Sequence, residues 1–407
     1  LKPTQALLIF LLSILLPLSA CAAPDGQVAV GILSGDGTQG LSEGMAALGV
    51  EQKSGYQRAE KALGVQAVFT YRAESLLPED IQVAVRGMVE DPQAPVVALA
   101  GATTNTSTTR LAALANFFSL PLVVPSAVGD NLMPSNNLWA FRLSAPGSAH
   151  AAYLFGELLN RQTLADLSGD EAQPGGLSLA IFYEQNTFSE STAVETAKAA
   201  MAQDVEIGYY GYFDPDAPEK ARVLESLSAM QTAGVDLVYL IASNPTTAGT
   251  IVRAFRDFFV PEDLPLLLGQ SGGFASREFL GSPEARGVFI LRQQIVPERC
   301  PDGVDSLAEA QSYAAVYLLN FALEQSLDQF PSGQTPLLSA RREAVRDSLK
   351  NSSLNLPCLG LTSFDNSGQN RNLQFELLYA ESGTPRPARP EKLLELLAPK
   401  LNRDPFQ

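Results

Sequence analysis

The residue with the most specific chemistry in this chain is a cysteine close to its start. Leu18-Ser19-Ala20-Cys21 ends an apolar run from Ala6 to Leu18, which Lys2 precedes and Ser13 and Pro17 interrupt. A charged start, a short apolar stretch and small residues at the cut are the layout of a secretory signal, because the peptidase pocket admits little else. A cysteine just after the cut adds a thiol that an ordinary signal does not need; in a bacterial lipoprotein it is the acceptor for diacylglycerol. The alternative is a plain signal followed by a chance cysteine. The run falls short of the roughly 20 apolar residues of a spanning helix. Two or three acyl chains hold a protein stably on a bilayer where one does not. The expectation is a signal peptide over 1–20, lipidation at Cys21, a leash over 21–27, and an extracytoplasmic body held to the membrane by its anchor only.

Four loops carry the remaining candidate chemistry, each polar or glycine-rich and each following an apolar run. They are Ser34-Gly35-Asp36-Gly37-Thr38-Gln39-Gly40, Gly101 to Thr109, Pro125-Ser126-Ala127-Val128-Gly129-Asp130, and Gly269-Gln270-Ser271-Gly272-Gly273. The first has neither a Walker A lysine nor a GxGxxG pattern. The second, rich in Thr, Asn and Ser, opens a helix, where hydroxyls and free N–H groups suit an anion; capping claims one or two of these residues. Tyr183-Glu184-Gln185-Asn186-Thr187-Phe188 puts a ring where it can cover a small ligand, or where Phe188 merely staples the next helix.

Other chemistries lack their parts. The single His150 cannot assemble a His-based metal site, and no cysteine cluster offers zinc ligands, so neither metal nor cofactor is expected. His150 stands at the start of a helix pattern, where a surface or capping role is expected. There is no G-x-S-x-G elbow and no evident base for a serine nucleophile, so the chain does not read as an enzyme. A net charge of −16 argues against nucleic acid and against wide contact with anionic lipid. Beyond Cys21, export permits a disulfide between Cys300 and Cys358; the alternative is two separate buried thiols.

The elements that must position these loops alternate. Strand-like runs are Gln27 to Leu33, Gln66 to Tyr71, Val96 to Ala100, Leu120 to Val124, Leu177 to Tyr183, Val235 to Ile241 and Gly287 to Leu291. Several show little polar alternation, as strands covered on both faces do. Amphipathic stretches lie between them: Pro78 to Val89, Thr108 to Phe118, Glu190 to Ala202, Pro218 to Gln231 and Thr246 to Phe259. Such alternation predicts parallel sheets with right-handed crossovers, and the series is long enough for two. A break falls at Leu143 to Gly147, and Ser168 to Gly176 reads as a solvated turn. Gly360 to Tyr379 reads as two strands around Phe364-Asp365-Asn366-Ser367-Gly368, and Glu391 to Leu401 as a short helix. Ligands of parallel α/β sheets sit beyond the carboxyl ends of the strands, where the polar loops fall.

In order and spacing the chain, from about Val28 to Ser382, resembles the type I periplasmic solute-binding proteins, the branch that contains the leucine/isoleucine/valine-binding proteins of ABC importers. Val30-Gly31-Ile32-Leu33-Ser34-Gly35 is similar to that family's opening strand and loop, and Gly49 and Gly55 followed by Ala59 to its first helix. Leu120 to Ala127 resembles the strand that ends in the ligand loop, Phe141-Arg142-Leu143-Ser144 the first crossing between lobes, and Ser312-Tyr313-Ala314-Ala315-Val316 a helix of the returning lobe. Gly360 with Phe364 to Gly368 matches the closing hairpin.

The resemblance implies two Rossmann-like lobes with parallel central sheets joined by three hinge crossings, near Ser144, Val296 and Leu361. Lobe 1 spans 28–143, lobe 2 144–295, the return to lobe 1 296–360, a closing hairpin with a lobe 2 strand 361–384, and a tail 385–407. Carried over to this chain, the ligand contacts are Ser34, Asn105, Thr106, Ser107, Ala127, Val128, Phe188, Asn244 and Ser271, with Leu48 and Ser243 at neighbouring contact positions. Ser271 stands where the amino-acid binders place an acid. A buried ammonium without a counter-charge costs several kcal/mol, so a neutral or anionic polar ligand fits at least as well as an amino acid unless Asp36 or Glu184 supplies the charge. The expected function is capture of a small polar solute by a monomer that partners an ABC permease. The rival is an interaction lipoprotein of the same fold that regulates a cell-wall synthase or a sensor.

Overall fold

The computed structural model describes residues 28–37, 41, 43–64, 67–168, 176–214, 220–330 and 336–401. The signal, Cys21 and the leash lie outside them, as does most of the 168–176 turn. Five parallel strands form the first sheet, in the order β2-β1-β3-β4-β5: β1 (Val28–Ser34), β2 (Ala67–Ala73), β3 (Val96–Ala100), β4 (Leu122–Val124) and β5 (Ala140–Arg142). Helices α1 (Glu43–Leu63), α2 (Pro78–Val89) and α3 (Asn105–Phe117) connect them. Every residue of β3 is buried, which accounts for the apolar run without alternation.

The second lobe repeats this plan. Its strands are β6 (Ser178–Glu184), β7 (Glu206–Phe213), β8 (Leu237–Ile241), β9 (Leu266–Gln270) and β10 (Val288–Gln293), and the parallel part runs β10-β9-β8-β6-β7. Its helices are α4 (Gly147–Tyr153), α5 (Arg161–Ser168), α6 (Thr187–Met201), α7 (Lys220–Thr232), α8 (Pro245–Phe258) and the short α9 (Arg277–Gly281). Neither β7 nor β9 is among the apolar runs expected to form strands. In β7, a partly exposed edge strand, Gly208 and Gly211 interrupt the apolar pattern.

The chain then returns to lobe 1 through α10 (Leu307–Leu327) and α11 (Leu338–Lys350). Buried along most of its length, α10 packs on α1 so closely that a Cβ on Gly55 would stand 2.3 Å from the Glu309 carbonyl oxygen. Tyr56, Ala59, Ala314, Ala315 and Leu318 share one core with β1 and β3 on that face of the first sheet.

The closing hairpin expected over 361–384 is present only as a short turn, across which Phe364 and Asn370 bridge antiparallel; the strands on either side of it pair elsewhere. Strand β11 (Ser353–Leu356) pairs antiparallel with β12 (Gly360–Ser363) as a separate two-stranded sheet. β13 (Phe375–Tyr379) joins the second sheet beside β10, and β14 (Arg386–Ala388) pairs with β13. The reason lies in the turns: Cys358 and Gly360, both at positive φ, reverse the chain before β12, so its partner lies upstream. The segment between β12 and β13 is the third crossing, and Asp365 organises it by accepting from the N–H groups of Ser367 (2.8 Å) and Gln369 (2.9 Å). The tail also has a structural place. In α12 (Pro390–Leu401), Leu393 and Leu397 are buried in the lobe 2 core, and Lys400 Nζ donates to the Leu264 carbonyl at 2.7 Å.

Cys300 and Cys358 form a disulfide with Cα atoms 4.5 Å apart. It fastens the second crossing to the β11–β12 turn. The three crossings are also stitched to one another. Gln293 Nε2 donates to the Leu143 carbonyl (3.2 Å), while its Oε1 accepts from Ala145 N–H (3.1 Å) and from Gln311 Nε2 (2.9 Å). Asn370 Nδ2, on the third crossing, reaches the same Leu143 carbonyl at 3.5 Å.

Candidate functional site

Between the lobes lies an inner cavity of about 60 Å³, continuous in its lining with a wider cleft of about 710 Å³. Met45, Asn105, Phe188 and Ser243 line both. Lobe 1 gives the inner cavity Gln52, Thr103, Ser126, Ala127 and Val128, and α10 gives it Leu307, Ala308 and Gln311; lobe 2 gives it Ser271, Gly272 and Ala275. No acidic or basic side chain is among these lining residues. The lining offers amides, hydroxyls and apolar surface, which suits a small uncharged molecule.

The strand-end loops are held from behind by buried carboxylates. Glu74 accepts from the N–H groups of Thr103 (2.5 Å) and Thr104 (3.1 Å). Glu184 does the same in lobe 2 for Ser243 N–H (2.6 Å), Asn244 N–H (3.3 Å) and the Ser243 hydroxyl (2.9 Å). Burial pushes both carboxyls above the usual range, against the hydrogen bonds that lower them. Thr103 Oγ1 accepts from Gly35 N–H (2.7 Å) and donates to Gln52 Oε1 (2.6 Å), and Gln52 Nε2 donates to Ser126 Oγ. Three lobe 1 loops are thereby registered on the side chain of one helix residue.

The expected contacts divide. Asn105, Ala127, Val128, Phe188 and Ser271 come together at the inner cavity, and Thr106 and Asn244 line the outer cleft. Two do neither. Ser34 is buried at the end of β1 with its hydroxyl on Asp36, and Ser107 lies in the first turn of α3, where its N–H donates to the capping Thr104 hydroxyl and its own hydroxyl donates to the Ser75 carbonyl. Asn105 also shapes the cavity wall, because its Oδ1 accepts from Val128 N–H (3.1 Å) and Gly129 N–H (2.9 Å) and so fixes the loop that carries Ala127 and Val128. Asn244 Oδ1 caps α8 through Thr246 N–H at 3.0 Å. Asp36 pairs with Lys53 at 2.5 Å, and Glu184 lies in the wall of the outer cleft, so neither carboxylate reaches the inner cavity. His150 is not a surface residue. It is fully buried, with Nδ1 on the Pro146 carbonyl (2.9 Å) and Nε2 on Ser271 Oγ (3.1 Å). The first turn of α4 packs against the second sheet, which turns this position inward.

Gln52 and Gln311 were missed because neither sits in a loop. A signal was present: Gln52, Tyr56 and Ala59 fall at helical spacing on one buried face of α1, as do Leu307, Gln311, Ala314 and Leu318 on α10. A polar residue on an otherwise apolar stripe needs a partner, and here the partners are the loops and the hinge.

The lobes touch directly. A Cβ on Gly44 of α1 would stand 2.2 Å from Asn244 Oδ1 and 2.7 Å from Pro245 Cδ. Arg277 N–H donates to Glu51 Oε1 (3.1 Å), and the Arg277 guanidinium pairs with Asp305 and Glu309. Among the described residues, no group of three or more His, Cys, Asp or Glu side chains is placed to hold a metal, and no helix is long and apolar enough to cross a membrane.

This architecture is the type I periplasmic binding protein fold. No family model and no curated protein matches the chain, but solved structures do. A leucine-binding protein from Thermotoga maritima superposes with a TM-score of 0.67 at 15% identity, over 89% of this chain and 98% of its own. A branched-chain amino acid transporter substrate-binding protein from Streptococcus pneumoniae, in complex with isoleucine, gives 0.64 at 16% identity, over 89% and 100%. An ABC transporter solute-binding protein from Rhodopseudomonas palustris, in complex with benzoate, gives 0.65 at 15% identity, over 89% and 95%. At this identity the likeness establishes the fold.

Proposed function

We propose that the protein captures a small polar solute by closing two lobes around it, as the lipid-anchored, extracytoplasmic binding component of an ABC importer, and that it binds rather than transforms its ligand. The observation that carries this reading is the inner cavity, whose polar groups come from both lobes. A ligand bonded to Thr103 or Ser126 on one side and Ser243 or Ser271 on the other is fully held only in the closed form, so binding selects that form. Similar folds that bind isoleucine and benzoate support a small organic ligand. A thermal-shift screen over amino acids, amides, carboxylates and nucleosides tests it: a ligand at 100 times its Kd stabilises by about 2.7 kcal/mol. No shift across the panel with a folded protein counts against the reading. The anchor is tested separately, since Cys21→Ser releases the body from the membrane or leaves it unprocessed without altering binding.

The smallness of the inner cavity favours one rival, an interaction lipoprotein of this fold that regulates a cell-wall synthase or sensor. Affinity capture that retains a synthase and no permease, from a protein that shifts with no solute, decides for it.

A further inference from the structure

His150 is the only histidine in the sequence, and its two ring nitrogens have unlike partners. Nδ1 lies 2.9 Å from the Pro146 carbonyl oxygen. A carbonyl has no proton to give, so Nδ1 carries the proton of the neutral ring and Nε2 is left with a lone pair. Ser271 Oγ lies 3.1 Å from Nε2, so the hydroxyl is the donor in that bond. Burial keeps the ring neutral, moving its pKa down to about 4; the Pro146 carbonyl opposes this and the charge of Arg142 adds to it. The other elements packed against the ring carry no charge there: Ser271 stands at the end of β9, and Phe375 on β13 meets the imidazole edge to face at 4.9 Å. The Ser271 backbone N–H is also committed, to the Leu291 carbonyl at 2.9 Å. What Ser271 offers the cavity is therefore oxygen lone pairs alone.

We propose that His150 is a positioning residue that sets the polarity of the ligand site through Ser271, so that the cavity admits an uncharged ligand bringing an N–H or O–H donor to that oxygen and discriminates against a carboxylate. This rests on the solute-binding reading of the same cavity. A carboxylate oxygen placed against Ser271 Oγ would meet lone pair with lone pair, and no cationic side chain in the inner lining offsets it. A primary amide of the same shape presents an N–H to Ser271 and keeps a carbonyl for donors such as Gln52 or Ser126.

Two measurements test this. The first needs no ligand. Long-range ¹⁵N–¹H correlation spectra of the intact protein report one imidazole, expected as the Nδ1–H tautomer, untitrated from pH 8 to about 5, with its Nε2 resonance displaced by Ser271→Ala. A ring protonated on Nε2, or one that titrates like a free histidine, overturns the proposal. The second uses matched probes, butyramide against butyrate and benzamide against benzoate. The amide is expected to bind at least about tenfold more tightly than its acid. His150→Gln, whose amide oxygen can take the place of Nε2, retains the preference, whereas His150→Asn, too short to reach Ser271, loses it. Acid binding as tight as amide, or equal behaviour of the two variants, overturns this inference and leaves solute binding standing. No shift with any of these four probes overturns the selectivity, while solute binding as such stands or falls by the broader panel.

Discussion

Arg277 Nη2 of lobe 2 lies 2.8 Å from Oε2 of Glu309, a lobe 1 carboxylate with no exposed side-chain surface. The other oxygen of Glu309 is held within lobe 1, by Ser54 Oγ at 2.6 Å and Arg58 Nε at 2.8 Å. Glu309 is thus already hydrogen-bonded before the lobes meet, and closure adds the second guanidinium. The latch can open without leaving a buried charge alone.

Removing that guanidinium shifts the balance toward the open form. Arg277→Ala is expected to cost the closed state about 1 kcal/mol, since the arginine is half exposed and Arg58 still partners Glu309. Small-angle scattering would show a larger radius of gyration without ligand, and ligand affinity would fall about fivefold. An unchanged scattering curve and affinity would show that the pair contributes nothing to closure.

A bulkier test lies at Gly44. Its near contact with Asn244 and Pro245 leaves no room for a side chain while the cleft is closed. Gly44→Leu should hold the lobes apart and weaken ligand by at least about tenfold. Because the residue stands in a helix, thermal stability without ligand should stay within a few degrees of the native value. Undiminished binding would mean that the lobes do not have to meet at this point.

The Cys300–Cys358 bridge closes a loop of 58 residues. On the chain-entropy argument, opening it costs about 4 kcal/mol, and less where the unfolded chain keeps structure. Reduction, or the double replacement by serine, should lower the denaturant midpoint and steepen the slope, because the unfolded chain without its cross-link exposes more surface. A midpoint that does not move would make the bridge incidental.

Stability should also carry the mark of His150. Its folded pKa of about 4 lies below the ordinary value of 6.5. As pH falls from 6.5 to 4, the unfolded chain accepts a proton there that the folded chain refuses. Stability is lost through that window, by up to roughly 3 kcal/mol, and levels off below it. Glu74 and Glu184 act in the opposite sense, because their raised carboxyls take up protons in the folded chain first. Comparing native protein with His150→Gln by urea unfolding at pH 7 and pH 4.5 isolates the histidine. The variant should lose less stability on acidification, and equal losses would mean that the ring titrates normally.

The sequence made the alternation of strands and helices legible because parallel strands buried on both faces cannot hide their apolar runs; Val96 to Ala100 and Val235 to Ile241 lie at or around strands in the structure. Turn chemistry was harder. Asp365 to Gly368 reads equally well as a hairpin turn or as an ordered crossing, and only the pairing of β13 with β10 separates the two. At the site, the strand-end loops were visible and the helix side chains that register them were not. Gln52 belongs to a face whose period announces a core, and its partners lie 51 and 74 residues away. His150 was misplaced for a related reason: local spacing put it at a helix start, but which face of that turn meets the sheet is decided by packing.

β13, β14 and α12 finish the second lobe with residues from the far end of the chain. The first lobe likewise awaits α10, α11 and the β11–β12 pair, all made after lobe 2's parallel strands. Neither half can therefore fold to completion before these later segments are made; the last strands of the second sheet exist only once residue 388 has been added, and the α12 leucines that seal its core come later still. Contacts between distant parts of the chain slow folding, and a polypeptide of this topology stays unfinished until its last strands and helix are present. If the chain is exported, as proposed above, that delay would keep it threadable until after it has crossed the bilayer.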